Sequence, residues 1–170
     1  PVKMPAKFIT DQTEVGDRVI LDANSNVYMK MPVGGYFYDP DGFPLKGVSS
    51  PEELLSHLVN FQTFSAASWL DRPLERVGTE VAQIRAETDR VLVGDFQAQT
   101  FMGAQILRGW TEFMLDMIAK PALAHAILER LTDSHIKNFD AFADAVGPHL
   151  DIVQLCDDLG MQDSPWMSPK

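Results

Sequence analysis

Two carboxylates stand side by side at Asp157 and Asp158, directly after the apolar run 152–156. Paired acids in such a place can exchange protons with a substrate or hold a cationic group. The run reads as a buried strand, and functional groups of parallel α/β proteins collect beyond the carboxyl ends of their strands. Neighbouring strand residues point to opposite faces, so at most one of the pair faces a shared mouth. The other is expected to cap the loop by accepting backbone N–H bonds. A second apolar run, 90–96, closes with Gly94 and Asp95 and puts Asp95 at an equivalent strand end. Asp95 reads equally as a site acid and as a cap of the turn that follows. Gln97, Gln99 and Gln105 come next, and Gln162 and Asp163 follow the double aspartate. The glutamines are uncharged groups suited to hydrogen-bonding a substrate amide or carboxylate.

Other reactive residue types read as structural. Cys156 lies in an apolar run with no histidine near it in sequence, and a packed thiol is the expectation. His125 and His135 are ten residues apart on one helical pattern, and His57 and His149 lie near helix ends. All four are expected at surface or capping positions. Trp110, Met114 and Met117 read as helical core before they read as a cofactor surface. Phe61, Phe64 and Trp69 are expected to pack the N-terminal hairpin or a homodimer contact.

These residues need elements to position them. Residues 1–16 read as an irregular arm. The runs 18–22 and 27–31 are β-prone and joined by Ala-Asn-Ser-Asn, an antiparallel hairpin. Residues 32–35 break it, 36–38 add an extended piece, and 39–44 form a turn cluster. Ser50-Pro51-Glu52-Glu53 is a capping box with proline at the first helical position, for a helix running to about residue 60. A second helix is expected over 68–88, starting at Asp71 if Pro73 sits in its first turn. It carries Leu70, Leu74, Val77, Val81 and Ile84 on one stripe. A helical stretch over 101–118 breaks near Gly109. The strongest helical pattern spans 121–146, with Leu123, Ile127, Leu131, Phe139, Phe142 and Val146 on its stripe. Gly147-Pro148 is expected to end it in a left-handed cap. The fold class is therefore α/β. The second half is a strand–helices–strand unit that should form a parallel pair.

The chain has 170 residues, is 45% hydrophobic and carries a formal net charge of −10. This suffices for one core. The negative charge disfavours nucleic acid and any polybasic membrane contact. With a single cysteine no internal disulfide forms, which fits a reducing, cytoplasmic setting. A start at Pro1, an end in a loop at Lys170 and a half-built parallel sheet lead to the expectation of one domain, 1–170, cut from a longer polypeptide. Within it, 1–49 is a hairpin insertion and 50–170 holds helices and the two parallel strands.

The segments 91–96, 121–146 and 153–169 together resemble the uroporphyrinogen decarboxylase superfamily. Its most specific part is Asp157-Asp158-x-Gly160-x-Gln162-x-x-Pro165-x-x-Ser168-Pro169. Gly16-Asp17-Arg18 and the segment 31–37 resemble the same proteins more weakly. The likeness is greater to the methyltransferase-like members, which move methyl groups between corrinoid proteins and thiols, than to the decarboxylases. It implies part of a (β/α)8 TIM barrel with an N-terminal β-hairpin insertion. It also implies zinc, a corrinoid (cobalamin) partner protein and a small methylated substrate. The zinc-binding His-x-Cys would lie beyond Lys170; none occurs in this chain, and no arginine substrate motif of the decarboxylases is seen before residue 40. The resemblance puts Gln105 where decarboxylases contact substrate through tyrosine, and Asp158 near their substrate-contacting serine. A carboxylate there would repel a substrate bearing eight carboxylates, by about 1 kcal/mol per close pair even in water. The expected site is therefore Asp158 and Asp157 for catalysis, with Asp95, Gln97, Gln105 and Gln162 contacting substrate. The alternatives are a true uroporphyrinogen decarboxylase and a non-catalytic subunit built on the same fold.

Overall fold

The computed structural model describes residues 9–21, 25, 27–57 and 73–168. The aromatic cluster at Phe61, Phe64 and Trp69 lies outside these residues. The described chain is mixed α/β, with a small antiparallel sheet, a two-stranded parallel sheet and five α-helices.

The antiparallel sheet contains β1 (Ile9–Gln12), β2 (Arg18–Leu21), β3 (Val27–Met31) and β4 (Asp39–Pro40), in that spatial order. The expected hairpin is β2–β3, paired from Arg18 opposite Met31 to a bulge at Ile20 and Leu21. Two expectations change. Residues 9–12 are a strand rather than part of an irregular arm, because ladder hydrogen bonds need only backbone and β2 offers a free edge. The last strand falls at Asp39–Pro40, not at 36–38; Tyr36 and Phe37 are exposed. Asp17 ties the sheet together: it accepts from the Val33 N–H at 3.0 Å and pairs with Lys30 at 2.8 Å. The Lys30 side chain, then the Val33 N–H, hold the Asp17 carboxyl below its ordinary range.

Helix α1 (Pro51–Ser56) opens as its capping box predicts, with the Glu53 N–H donating to Ser50 Oγ. The reciprocal arm is displaced by one residue: the Glu53 carboxylate accepts from the Ser49 N–H and hydroxyl, each at 2.7 Å. The helix ends at Ser56, earlier than its sequence pattern suggests, where His57 turns extended. Helix α2 (Leu74–Glu87) starts after Pro73, later than expected, and the part of its pattern before residue 73 is not described. Strand β5 (Val93–Asp95) leads to α3 (Thr100–Arg108) and α4 (Trp110–Ala119). The break between these helices is Gly109, at φ +96°, a left-handed region that favours glycine.

Helix α5 (Pro121–Val146) has the bounds its pattern predicts and packs against all four other helices. Its first half joins α1, α3, α4 and the segment 45–48 in the main core, which includes Leu45, Leu54, Leu107, Phe113, Ile127 and Leu131. Its second half meets Phe96 and α2 in a smaller cluster with Phe142 and Val146. Gly147 does not take a left-handed cap. It stays right-handed, and the chain tightens into a 3-10 turn, Gly147–His149, whose Leu150 N–H donates back to Gly147. Strand β6 (Ile152–Gln154) then pairs with β5 in parallel, Val93 opposite Ile152. The expected burial of 152–156 is not found: Ile152 and Leu155 are 52% and 61% exposed. Among the described residues β6 has one neighbouring strand, and nothing covers its outer side.

Two buried or half-buried arginines lock these parts. Arg108 Nε pairs with Asp116 at 2.6 Å and its Nη1 donates to the Leu45 carbonyl at 2.7 Å, clamping the segment 45–48 onto α3 and α4. Arg85 on α2 pairs with Asp151 and donates to the His149 carbonyl, at the N-terminal ends of the parallel strands. The Leu92 N–H, then Arg85, hold the Asp151 carboxyl below its ordinary range.

Candidate active site

Parallel pairing brings the carboxyl ends of β5 and β6 to one edge, and the last rung there is Phe96 N–H to the Gln154 carbonyl at 2.9 Å. Just beyond it the side chains connect. Gln97 donates its amide to Asp95 Oδ2. The Gln97 carbonyl oxygen accepts from Gln99 Nε2 at 3.3 Å and from the Cys156 thiol at 3.4 Å. Asp95, Gln97, Gln99 and Cys156 therefore form one hydrogen-bonded row across both strand ends. Gln97, Gln99 and Cys156 are half-buried and Asp95 is exposed. Cys156 is half-buried and hydrogen-bonded at the edge of the sheet, where sequence favoured a packed thiol.

The two aspartates part ways. Asp157 takes the N-terminus of α3, its oxygens accepting from the Phe101 N–H at 2.6 Å and the Met102 N–H at 2.9 Å. These amides have no partner within the helix, so Asp157 does from across the strand what an N-cap side chain does locally. The side chain at the helix's own N-cap position, Gln99, makes no capping bond. Asp158 is exposed, and its carboxylate makes no hydrogen bond or ion pair among the described residues. It lines an open hollow with Gly160, Met161, Gln162 and Trp166. Gln162 thus stands with Asp158, apart from the Gln97 row.

Gln105 belongs to neither group. It is buried in α3, its amide nitrogen 4.0 Å from the Met114 sulfur and its carbonyl oxygen without a partner among the described residues. Its position facing the main core, one turn past the helix start, removes it from the strand ends.

His135 is a correction in the other direction. Expected at the surface, it is only 5% exposed, behind the loop that carries Gln99. Burial pushes its imidazole below the ordinary value, while the Gln99 carbonyl and the Asp157 carboxylate act weakly the other way. Neither ring nitrogen completes a well-aligned hydrogen bond. Its spacing was the available signal: 131, 135 and 139 are consecutive members of the buried stripe of α5.

The row can hydrogen-bond a carbonyl, amide or carboxylate, and Asp158 can attract a cation or exchange a proton. It does not make a zinc site. It contains one thiol and otherwise hard or amide oxygens, and among the described residues no three His, Cys, Asp or Glu side chains meet as metal ligands. No helix among the described residues is long and apolar enough to cross a membrane. Comparison with known proteins gives no match to a family model, a curated protein or a solved structure, so the likeness to the uroporphyrinogen decarboxylase superfamily rests on the motif residues alone.

Proposed function

We propose that the chain is part of a (β/α)8 barrel enzyme, a methyltransferase-like member of the uroporphyrinogen decarboxylase superfamily acting in the cytoplasm. The observation that carries this reading is the polar row Asp95–Gln97–Gln99–Cys156 at the ends of two adjacent parallel strands, followed in the chain by Asp158, whose carboxylate is unpaired among the described residues. Ligands of parallel α/β sheets bind at that edge. In this reading the substrate is a small methylated molecule, the glutamine amides orient it, and Asp158 holds its charge or moves a proton at the mouth.

Zinc and a corrinoid partner belong to the proposal through the resemblance. Zinc would supply an activated thiolate, with ligands from the His-x-Cys placed beyond Lys170. The residues described do not fit it by themselves. A decarboxylase is disfavoured by the Asp158 carboxylate. A non-catalytic subunit is favoured by one observation, the use of both Asp157 oxygens in capping α3.

The test is methyl transfer between a corrinoid and a thiol by the full-length protein, followed by corrinoid absorbance. Asp158→Asn is expected to lower turnover at least about tenfold, and about a hundredfold or more if it is the acid–base group, with little change in stability. An unchanged rate would leave Asp158 as a surface residue. No transfer with any corrinoid–thiol pair would favour the non-catalytic subunit.

A further inference from the structure

The loop after the double aspartate is a built element. Trp166 N–H donates to the Leu159 carbonyl at 3.0 Å, and Met161 N–H to the Ser164 carbonyl at 2.7 Å. Gly160 and Pro165 form an antiparallel bridge between them. This tight hairpin brings Trp166 back beside Asp158. Trp166 is anchored: it packs on the main core and meets Trp110 edge to face, ring centroids 4.8 Å apart.

The hollow that results has a volume of about 440 Å³, within the range of small-ligand sites, and opens to solvent. Its lining is chemically selective. Asp158 supplies a carboxylate unpaired among the described residues, Gln162 an amide, Met161 a thioether and Trp166 an indole, and no basic side chain of the described residues lines it. The Trp166 Nε1 is buried, so the indole brings the hollow no donor. An anionic ligand would meet a carboxylate and, among these lining residues, no cation. A neutral polar ligand would find few donors. A cation whose surface is methyl groups needs no hydrogen-bond acceptor and is attracted by both a carboxylate and an aromatic ring.

We propose that this hollow binds the methylated onium group, a quaternary ammonium or a sulfonium, of a small molecule. Asp158 is the counter-ion and Trp166 the aromatic wall. That such a molecule is the methyl-bearing substrate rests on the enzyme reading above; the binding itself does not.

Binding is measured without turnover, by calorimetry or ligand-observed NMR on the full-length protein. The probes are choline, its uncharged isostere 3,3-dimethylbutanol, and ethanolamine as the unmethylated ammonium. Choline is expected to bind saturably in roughly the millimolar range. The isostere and ethanolamine should each bind about tenfold more weakly or not at all. Asp158→Asn should weaken choline about three- to thirtyfold and leave the isostere unchanged. Trp166→Leu should weaken choline similarly. Because Trp166 also packs on the core, the exposed Asp158→Asn variant keeps the test decisive if the tryptophan variant fails to fold. Equal binding of choline and isostere, tighter binding of ethanolamine, no saturation by choline, or indifference to Asp158→Asn would each overturn the proposal. Onium binding without methyl transfer would sink the enzyme reading and leave this one standing. Methyl transfer that depends on Asp158, with no onium binding, would do the reverse.

Discussion

The two halves of α5 are packed very differently. Its first half is enclosed by α1, α3, α4 and the segment 45–48, around Leu123, Ile127 and Leu131. Its second half meets a thin cluster of Phe96, Phe142 and Val146, beyond which Val93, Ile152 and Leu155 face outward. The closed half is scaffold: its positions are specified by volume. The open half borders the polar row of Asp95, Gln97, Gln99 and Cys156, where groups remain for a ligand. Asp157 and His135 join the halves, since both bear on the start of α3 from the sheet side and from α5.

Mutations can break this contrast, the largest effect first. Leu131→Ala, in the closed half, should cost about 2–5 kcal/mol in denaturant unfolding, while Ile152→Ala on the open strand should stay within about 0.5 kcal/mol. Comparable losses would mean that the strand face is packed in solution. Gly78→Ala comes next. Alanine in a helix interior ordinarily gains up to about 1 kcal/mol over glycine. Here its Cβ would lie 2.5 Å from the Ala145 carbonyl oxygen, where α2 crosses α5. A net loss of about 1–3 kcal/mol is expected, and a gain would show that the crossing yields easily.

Asp157→Ala sharpens the difference between the paired acids. It strips two amides of their partner and should lower stability by about 1–2 kcal/mol, a melting shift of roughly 2–8 °C. The exposed Asp158→Asn should shift it little. Equal effects would remove the distinction between cap and mouth.

The smallest expected effect is a pH dependence. The folded pKa of His135 lies below its ordinary 6.5, so as pH falls the unfolded chain binds the proton first. Stability from this group is whole above that value and declines as pH drops from there toward the folded value. His135→Gln should therefore lessen the loss of stability measured between neutral pH and pH ~5. Identical pH slopes for the two proteins would show that the imidazole is not buried in solution.

Much of this scaffold is readable from local pattern. The apolar spacing of 121–146 defines α5 to its bounds, Ser50 and Glu53 mark the start of α1, and the β-prone runs flanking 23–26 mark β2 and β3. The parallel pairing of β5 and β6 follows from strand–helices–strand order. The candidate site was legible as a place, the strand ends, and the structure brings two of its expected residues, Asp95 and Gln97, into contact there. Gln105 faces the core instead, because a position relative to a family pattern does not say which side of a helix it occupies. His135 is buried because its spacing continues the apolar stripe of α5, a signal of position that its residue type conceals.

The sequence by itself determined the helices, the hairpin, the order of the parallel strands and the pair of acids at the end of one of them. Those features depend on period, propensity and caps, which act over a few residues. Only the tertiary structure decided that Asp157 is a helix cap while Asp158 has no partner among the described residues, that Cys156 meets Gln97, and that β6 is exposed. The partners of Asp157 and Cys156 lie 56 and 59 residues away in the chain. No local pattern encodes such a distance; it is set by how α5 packs two strand ends and the start of α3 against one another.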